Sequence, residues 1–253
     1  MHDLKTTRVP HPHRTVDRVT RILEEVLYNP GLALADLVRV MDAPKSSVHG
    51  FLRGLLAKGW LYEEQHRFYL GPAVYGLTLA SGNVRAGLVT QSDLLALHEQ
   101  AGAAVFLGVH AGDDLIYVAD AGSDHIVGFE ARTSIRRRLL VTAGGKALLA
   151  TRSDAELDAY LRRRQLEERP LVEAFLSERD DIRKKRIAIN IRESGSRFAI
   201  ATTIPNRDGQ PAAALTIVGR SREMQPRQRE LEALLIDCVD AWASRTGVAR
   251  EAI

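Results

Sequence analysis

Apolar residues recur at helical spacing in three consecutive segments near the start of the chain. The first segment ends near Asn29, the second spans residues 32–41, and the third spans residues 44–58. Pro44 suits the first position of the third helix because its missing N–H would have no partner there, and Asp42 is placed to cap that helix. A turn of about three residues separates the second and third helices, which is the spacing of a helix-turn-helix.

The third helix has one apolar face and a polar, cationic front. Val48, Leu52 and Leu55 recur on the apolar face. The polar residues that this pattern leaves pointing outward are Lys45, Ser46, Ser47, His49 and Arg53. Such a helix has what major-groove recognition requires, and an ordinary amphipathic surface helix is the alternative interpretation.

The segment after the third helix decides between these two interpretations. Residues 59–71 alternate apolar and polar positions about a polar centre, which predicts a short hairpin. Three helices followed by such a wing form a winged helix-turn-helix. We therefore expect a DNA-binding domain over residues 15–71, preceded by a mobile arm at residues 1–14.

Composition and charge narrow the function classes. The chain of 253 residues has room for two ordinary domains, and it contains neither an apolar run long enough to span a membrane nor a signal peptide. Residues 1–71 hold ten Lys and Arg against eight Asp and Glu, which is only a small positive excess. Contact with DNA would therefore depend on local charge, and the small excess favours binding by two copies together. Cys238 is the only cysteine, which excludes an intramolecular disulfide and a cysteine zinc cluster and favours a cytoplasmic protein.

The rest of the chain predicts a linker helix and a second domain. Residues 72–88 are expected to form the linker helix. Its apolar side could pack against the core of this chain or against a second copy in a dimer, and the dimer contact is favoured. Residues 89–253 predict an antiparallel α+β domain, because hairpins stand at both ends with helices between them. Strands are expected at residues 103–110, 115–119, 126–131, 197–205 and 212–218, and helices at residues 91–100, 143–151, 153–163, 170–186 and 226–245.

The chemical focus of the second domain is Ala143-Gly144-Gly145, the expected first turn of a helix that Thr142 can cap. Two glycines there expose amides at the positive end of the helix dipole, which makes an anion site suited to a carboxylate. Close packing of the helix against a strand explains the glycines equally well, so both interpretations stay open. The phosphate-loop spacing is absent.

At this point the sequence resembles the IclR family of bacterial transcriptional regulators, over about residues 15–247. The resemblance rests on residues 43–49, 67–71, 145–150, 200–204 and 213–219. It implies a winged helix-turn-helix, a linker helix and a C-terminal effector domain of GAF-like fold. It also implies dimers, or pairs of dimers, that bind an operator in double-stranded DNA and respond to a small organic acid, with no cofactor, metal or membrane involved.

Position by position, the resemblance assigns two sets of site residues. The DNA contacts would be Lys45, Ser46, Ser47, His49 and Arg53, with Arg67 touching phosphate from the wing. The effector pocket would involve Ala143, Gly144, Gly145, Glu193, Phe198 and Thr216. Binding of an organic acid, either a carboxylate of general type or an aromatic acid, would then change the separation of two recognition helices.

The sequence departs from the family pattern at several of these positions. Gly50 stands where the family commonly has arginine, and the wing carries an acidic pair, Glu63-Glu64. Phe198 replaces a smaller residue, which would shrink the pocket or favour an apolar or aromatic ligand. An enzymatic role is not expected because one cysteine cannot supply a redox pair and no hydrolase or metal motif is present. A winged helix used for protein contacts, without specific DNA binding, is the remaining alternative.

Overall fold

The computed structural model describes residues 13–74, 76, 89–122, 136–192, 195–206 and 209–245. The chain divides into two compact units, Met1–Gly82 and Asn83–Ile253. No helix in the described ranges is both long and apolar enough to cross a membrane. Most of the expected linker, residues 77–88, lies outside the described residues, as does the expected strand at residues 126–131.

The N-terminal unit is a winged helix-turn-helix. Its elements are α1 (Arg14–Tyr28), β1 (Leu32–Ala33), α2 (Leu34–Met41), α3 (Lys45–Ala57), β2 (Leu61–Glu64) and β3 (Arg67–Leu70). The three strands form an antiparallel sheet in the order β1-β3-β2. The three helices and the sheet share one core, in which Ile22, Leu37, Val48, Leu52 and Phe68 are buried.

Two local features of this unit differ from the sequence prediction. Asp42 does not cap α3: it closes α2 in the left-handed conformation with φ of 46°, and Pro44 is the N-cap of α3. The second helix begins at Leu34 rather than Leu32, because residues 32 and 33 pair with Phe68 and Arg67 of the wing. The wing is therefore tied to the loop that follows α1.

The wing turns through only two residues, Gln65 and His66. Both have positive φ, 49° and 61°. Positive φ at both central positions is the geometry of the hairpin turn that matches the natural twist of strands. This turn uses no glycine, and it places Glu64 directly opposite Arg67.

The C-terminal unit contains one six-stranded sheet and six helices in the described ranges. Its strands are β4 (Ala104–Ala111), β5 (Asp114–Ala121), β6 (Arg136–Arg138), β7 (Ala188–Arg192), β8 (Arg197–Pro205) and β9 (Pro211–Arg220). Its helices are α4 (Gln91–Ala101), α5 (Ala143–Ala150), α6 (Asp154–Leu161), α7 (Arg169–Lys185), α8 (Ser221–Met224) and α9 (Gln228–Arg245). Every strand pair is antiparallel, in the order β6-β5-β4-β9-β8-β7, which confirms the α+β class. The strands β6 and β7 were not predicted.

Helices cover both faces of this sheet. On one face α4 and α9 pack against it through Leu94, Leu97, Leu231, Leu235 and Val239. On the other face α5 lies directly on β8 and β9, and α6 and α7 complete that layer. Because both faces are covered, the central strands are apolar at nearly every position rather than at every second one.

Helix ends in this unit are closed by polar side chains. Ser153 and Glu156 form the expected capping box at the start of α6. Thr90 and Asp93 form a second one at the start of α4. Arg245, at the end of α9, donates to both oxygens of Asp93, at 2.9 and 2.8 Å. The first and last described helices of the unit are thereby joined at their ends.

Candidate nucleic-acid interface and effector site

The helix α3 separates its apolar and polar residues cleanly. Val48, Leu52 and Leu55 are buried in the core. Lys45, Ser46, His49 and Arg53 are exposed, whereas Ser47 is half-buried. The structure therefore brings four of the five expected contact residues on α3 to the surface of one helix.

The surface of α3 is electropositive and sterically open. Its thirteen residues include no acidic side chain. Gly50 and Gly54 both lie inside the helix, and a Cβ added at either would meet no heavy atom within 4 Å. These glycines are therefore not required by packing, and each costs an exposed helix about 1 kcal/mol relative to alanine.

A groove of about 590 Å³ lies beside α3, open to solvent. Its lining residues are Ala33, Leu34, Ala35, Val38, Lys45, His49, Glu63, His66 and Phe68. Lys45 and His49 come from α3, and Glu63 and His66 come from the wing. Five of the nine lining residues are apolar, and the other four are Lys45, His49, Glu63 and His66.

Arg67 is exposed at the start of β3, and part of its guanidinium group already has a partner. Its Nη1 donates to the carbonyl oxygen of Gly31 at 2.8 Å. On the same face of the hairpin, Tyr62 and Tyr69 stack with their ring centroids 5.1 Å apart. Sequence reasoning did not identify the bond that holds Arg67, because it depends on the pairing of β1 with β3.

The first turn of α5 is tightly packed. Thr142 caps the helix as expected, since its Oγ1 accepts from the Gly145 amide at 3.0 Å. A Cβ on Gly145 would lie 2.2 Å from the carbonyl oxygen of Leu139. A Cβ on Gly144 would lie 2.9 Å from Thr216 Oγ1. Close packing alone is thus a sufficient reason for both glycines.

Thr216 supplies the observation that packing does not explain. It lies on β9, its side chain is 2% exposed, and its Oγ1 has no hydrogen-bond partner among the described residues. Buried hydroxyl groups nearly always have a partner. The unpaired Oγ1 faces Gly144 at the positive end of α5, next to Ala143 and Gly145. Four of the six expected effector residues therefore meet at one place.

The other two expected effector residues are not brought to this place. Thr216 pairs with Ala201 across the sheet, and Phe198 stands three positions from Ala201 on the same strand. Side chains alternate between faces, so Phe198 points to the opposite face. There it is buried in the cluster under α4 and α9. Glu193 lies outside the described residues.

Sequence reasoning missed an aromatic pair on the same face of the sheet as Thr216. Phe106 pairs with Thr216 across β4 and β9, and its ring centroid lies 5.4 Å from that of Tyr117. Burial raises the pKa of the Tyr117 phenol, and this rise is partly offset by the guanidinium groups of Arg137 and Arg192. Those arginines belong to β6 and β7, the outermost strands of the sheet. Because β4 is apolar and buried at five successive positions, Ala104 to Gly108, the sequence offered no signal for the face that Phe106 takes.

The lysine of the Gly-Lys-Ala sequence does not contribute to this site. Lys146 is buried, and its Nζ lies 2.6 Å from Glu178 Oε1 on α7. Its charge therefore joins two helices. This placement agrees with the expectation that the segment is not a phosphate loop.

Comparison with known proteins assigns both units. Residues 15–65 match the IclR helix-turn-helix domain, and residues 79–244 match the bacterial transcriptional regulator IclR C-terminal domain. The chain is 28% identical over 222 residues to the HTH-type transcriptional regulator BhcR of Paracoccus denitrificans (strain Pd 1222), covering 83% of this chain and 79% of that protein.

Solved structures have the same fold. The IclR protein of Thermotoga maritima superposes with a TM-score of 0.66 at 20% identity, covering 92% of this chain and 99% of that one. An IclR homologue of Microbacterium hydrocarbonoxydans, complexed with 4-hydroxybenzoate, superposes with a TM-score of 0.74 at 18% identity over the same shares of the two chains. With both of its units matched, the chain belongs to the IclR family of DNA-binding bacterial transcriptional regulators, which are not enzymes.

Proposed function

We propose that this regulator places α3 in the major groove of an operator. Lys45, Ser46, Ser47, His49 and Arg53 would make the contacts. The observation that carries this proposal is the division of α3 into a buried apolar face and an exposed face with three basic side chains and no acid. Basic groups attract the phosphate backbone, and short polar side chains near the N-terminus of such a helix reach base edges.

The wing is proposed to add a phosphate contact through Arg67. Its Nη1 is held by the Gly31 carbonyl, which fixes the direction of the side chain. A guanidinium group carries five N–H donors, so others remain for a phosphate oxygen. A positioned arginine loses less side-chain entropy on binding than a free one.

The operator is proposed to differ from those of relatives that have arginine at position 50. Gly50 removes one cation and one candidate base contact from the centre of α3. Its exposed position lets the helix backbone approach the DNA closely. Specificity would then depend mainly on Lys45, Ser46 and His49, in the first turns of the helix.

The effector is proposed to be a small organic acid bound at the start of α5. Ala143, Gly144 and Gly145 present the positive end of the helix, and beside it Thr216 supplies a hydroxyl that has no hydrogen-bond partner in the described part of the chain. The aromatic pair on the same face favours a ligand with a ring. The structural neighbour complexed with 4-hydroxybenzoate supports an aromatic acid.

Control of transcription is proposed to pass through a dimer. Two winged helices are needed to engage two half-sites about one DNA turn apart, and a single unit of modest charge binds weakly. Effector binding would bias the arrangement of two C-terminal units. The linker at residues 72–88 would then alter the separation of the two copies of α3.

A binding titration tests the first part of this proposal. A labelled duplex from upstream of the protein's own gene is compared with a scrambled duplex of the same length, at several salt concentrations. We expect the upstream duplex to bind more tightly at every salt concentration. Equal affinity for both duplexes would favour the alternative, a winged helix that contacts proteins. A thermal-shift screen with benzoate derivatives and aliphatic carboxylates tests the effector, and no stabilisation by any of them would contradict that part.

A further inference from the structure

The groove beside α3 contains a carboxylate at the surface proposed to face DNA. Glu63 stands opposite Phe68 on the hairpin, and side chains alternate, so both point into the groove that Lys45 and His49 line from α3. A negative charge there opposes phosphate binding. This wing is therefore built with a group that weakens DNA binding unless its charge is neutralised.

His66 is the group placed to neutralise it. Its Nδ1 lies 3.2 Å from Glu63 Oε1, and its side chain is 99% exposed. The left-handed turn at Gln65 and His66 brings the imidazole back onto the strand that carries Glu63. Because imidazole changes its charge between about pH 5 and pH 8, the net charge of the pair follows the proton concentration.

We propose that the Glu63–His66 pair makes operator affinity respond to pH. This inference rests on the proposed function, in which α3 and the wing face DNA. With His66 protonated, the pair is neutral. With His66 neutral, each copy presents one more negative charge to the phosphates, and the operator is released more readily.

The residues that line the groove include the other side chains that face His66. From α3 come the cationic side chain of Lys45 and a second imidazole, His49. The groove residues from β1 and α2 are Ala33, Leu34, Ala35 and Val38, which carry no charge. Glu64 and Arg67 stand on the opposite face of the hairpin, since they alternate with Glu63 and Phe68. His49 is therefore the group from which the effect of His66 must be separated.

The test uses the full chain and the upstream duplex, with affinity measured between about pH 6 and about pH 8 at constant ionic strength. His66→Asn removes the titrating group, and asparagine tolerates the left-handed conformation. We expect wild-type affinity to fall about threefold per wing across this range through His66, as one charge near phosphate at these distances implies. His66→Asn should behave at low pH as the wild type does at high pH.

One further variant completes the test. Glu63→Gln should bind about threefold more tightly than wild type at about pH 8. His49 is itself a proposed DNA contact and is left unchanged, so its contribution is the same in wild type and His66→Asn, and the difference between their pH responses is the part due to His66. An unchanged pH response in His66→Asn, or no gain in Glu63→Gln, would overturn the inference while leaving the proposed function intact. If no variant, nor the wild type, prefers the upstream duplex at any pH, the proposed function fails and this inference fails with it.

Discussion

Replacing Gly50 and Gly54 by alanine should stabilise the N-terminal unit. Both lie inside α3, and a Cβ at either position would meet nothing within 4 Å, so the substitution introduces no clash. Alanine is favoured over glycine in a helix interior by about 0.8–1 kcal/mol, which gives about 2 kcal/mol for the pair. For a domain of this size that is a rise in melting temperature of about 8–16 °C.

The measurement needs a probe confined to one unit. The chain has two tryptophans, Trp60 in the N-terminal unit and Trp242 on α9. In a Trp242→Phe background, the fluorescence of Trp60 follows the unfolding of the winged helix alone. Urea midpoints with and without the two alanines then give the change in the free energy of unfolding.

Gly59 provides the matched control for this prediction. Its φ is +70°, and a Cβ there would lie 3.9 Å from Ala73 Cβ, an ordinary contact. Gly59→Ala should therefore destabilise the unit by about 1–2 kcal/mol through backbone strain alone. The same substitution thus has opposite signs at positions 50 and 59. A lower midpoint for the α3 double variant would show that this part of the chain is not a helix with an open outer face.

Three further outcomes are expected. Lys45→Ala combined with Arg53→Ala should abolish the preference for the operator over other DNA. For the binding that remains, log K should depend on log salt less steeply, by about two units per copy. An unchanged salt slope would contradict the placement of α3 on DNA. Gly144→Val should remove the thermal stabilisation given by carboxylates, because its Cβ would meet a buried hydroxyl at 2.9 Å, whereas a retained shift would place the ligand elsewhere. Burial raises the pKa of Asp93, but hydrogen bonds from Arg245 and Thr90 lower it more, so that the pKa in the folded state lies below the usual 3.8. The ionised carboxylate therefore stabilises the fold fully above pH 3.8. This stabilisation is lost as the pH falls through the lower pKa of the folded state. Arg245→Ala should therefore lower the melting temperature at neutral pH and converge with wild type in strong acid, and a difference that is the same at all pH values would contradict the ion pair.

The N-terminal unit could be predicted from sequence almost completely. The apolar stripe Val48, Leu52 and Leu55 identified α3 within one residue at each end. The missing pieces were β1, two residues long, and the role of Asp42. Both depend on contacts between segments: β1 exists because β3 offers it a partner, and Asp42 adopts φ of 46° because α2 must end before Pro44.

The C-terminal unit shows where alternation stops being informative. The strand β8 was predicted with its observed bounds, Arg197–Pro205. Because helices cover both faces of its sheet, Phe198 and Ala201 are both buried, and hydrophobicity does not reveal which face each one takes. Only the register with β9 assigns Phe198 to the face away from Thr216. Similarly, the lack of a partner for the Thr216 hydroxyl within the described ranges is a property of its surroundings and has no signature in the sequence.

The ion pair between Arg245 and Asp93 has a consequence for the connectivity of the C-terminal unit. Its first and last described helices meet at this pair, with nitrogen and oxygen 2.8 Å apart. Because the start of α4 and the end of α9 lie together, the segment between them can be circularly permuted, with a short peptide joining α9 to α4 and new ends opened in an exposed hairpin such as the one at Gly112. A permuted chain would keep the sheet and the start of α5 while moving the point at which the winged helix is attached. Ligand recognition and the transmission of its effect to DNA could then be studied separately in one protein.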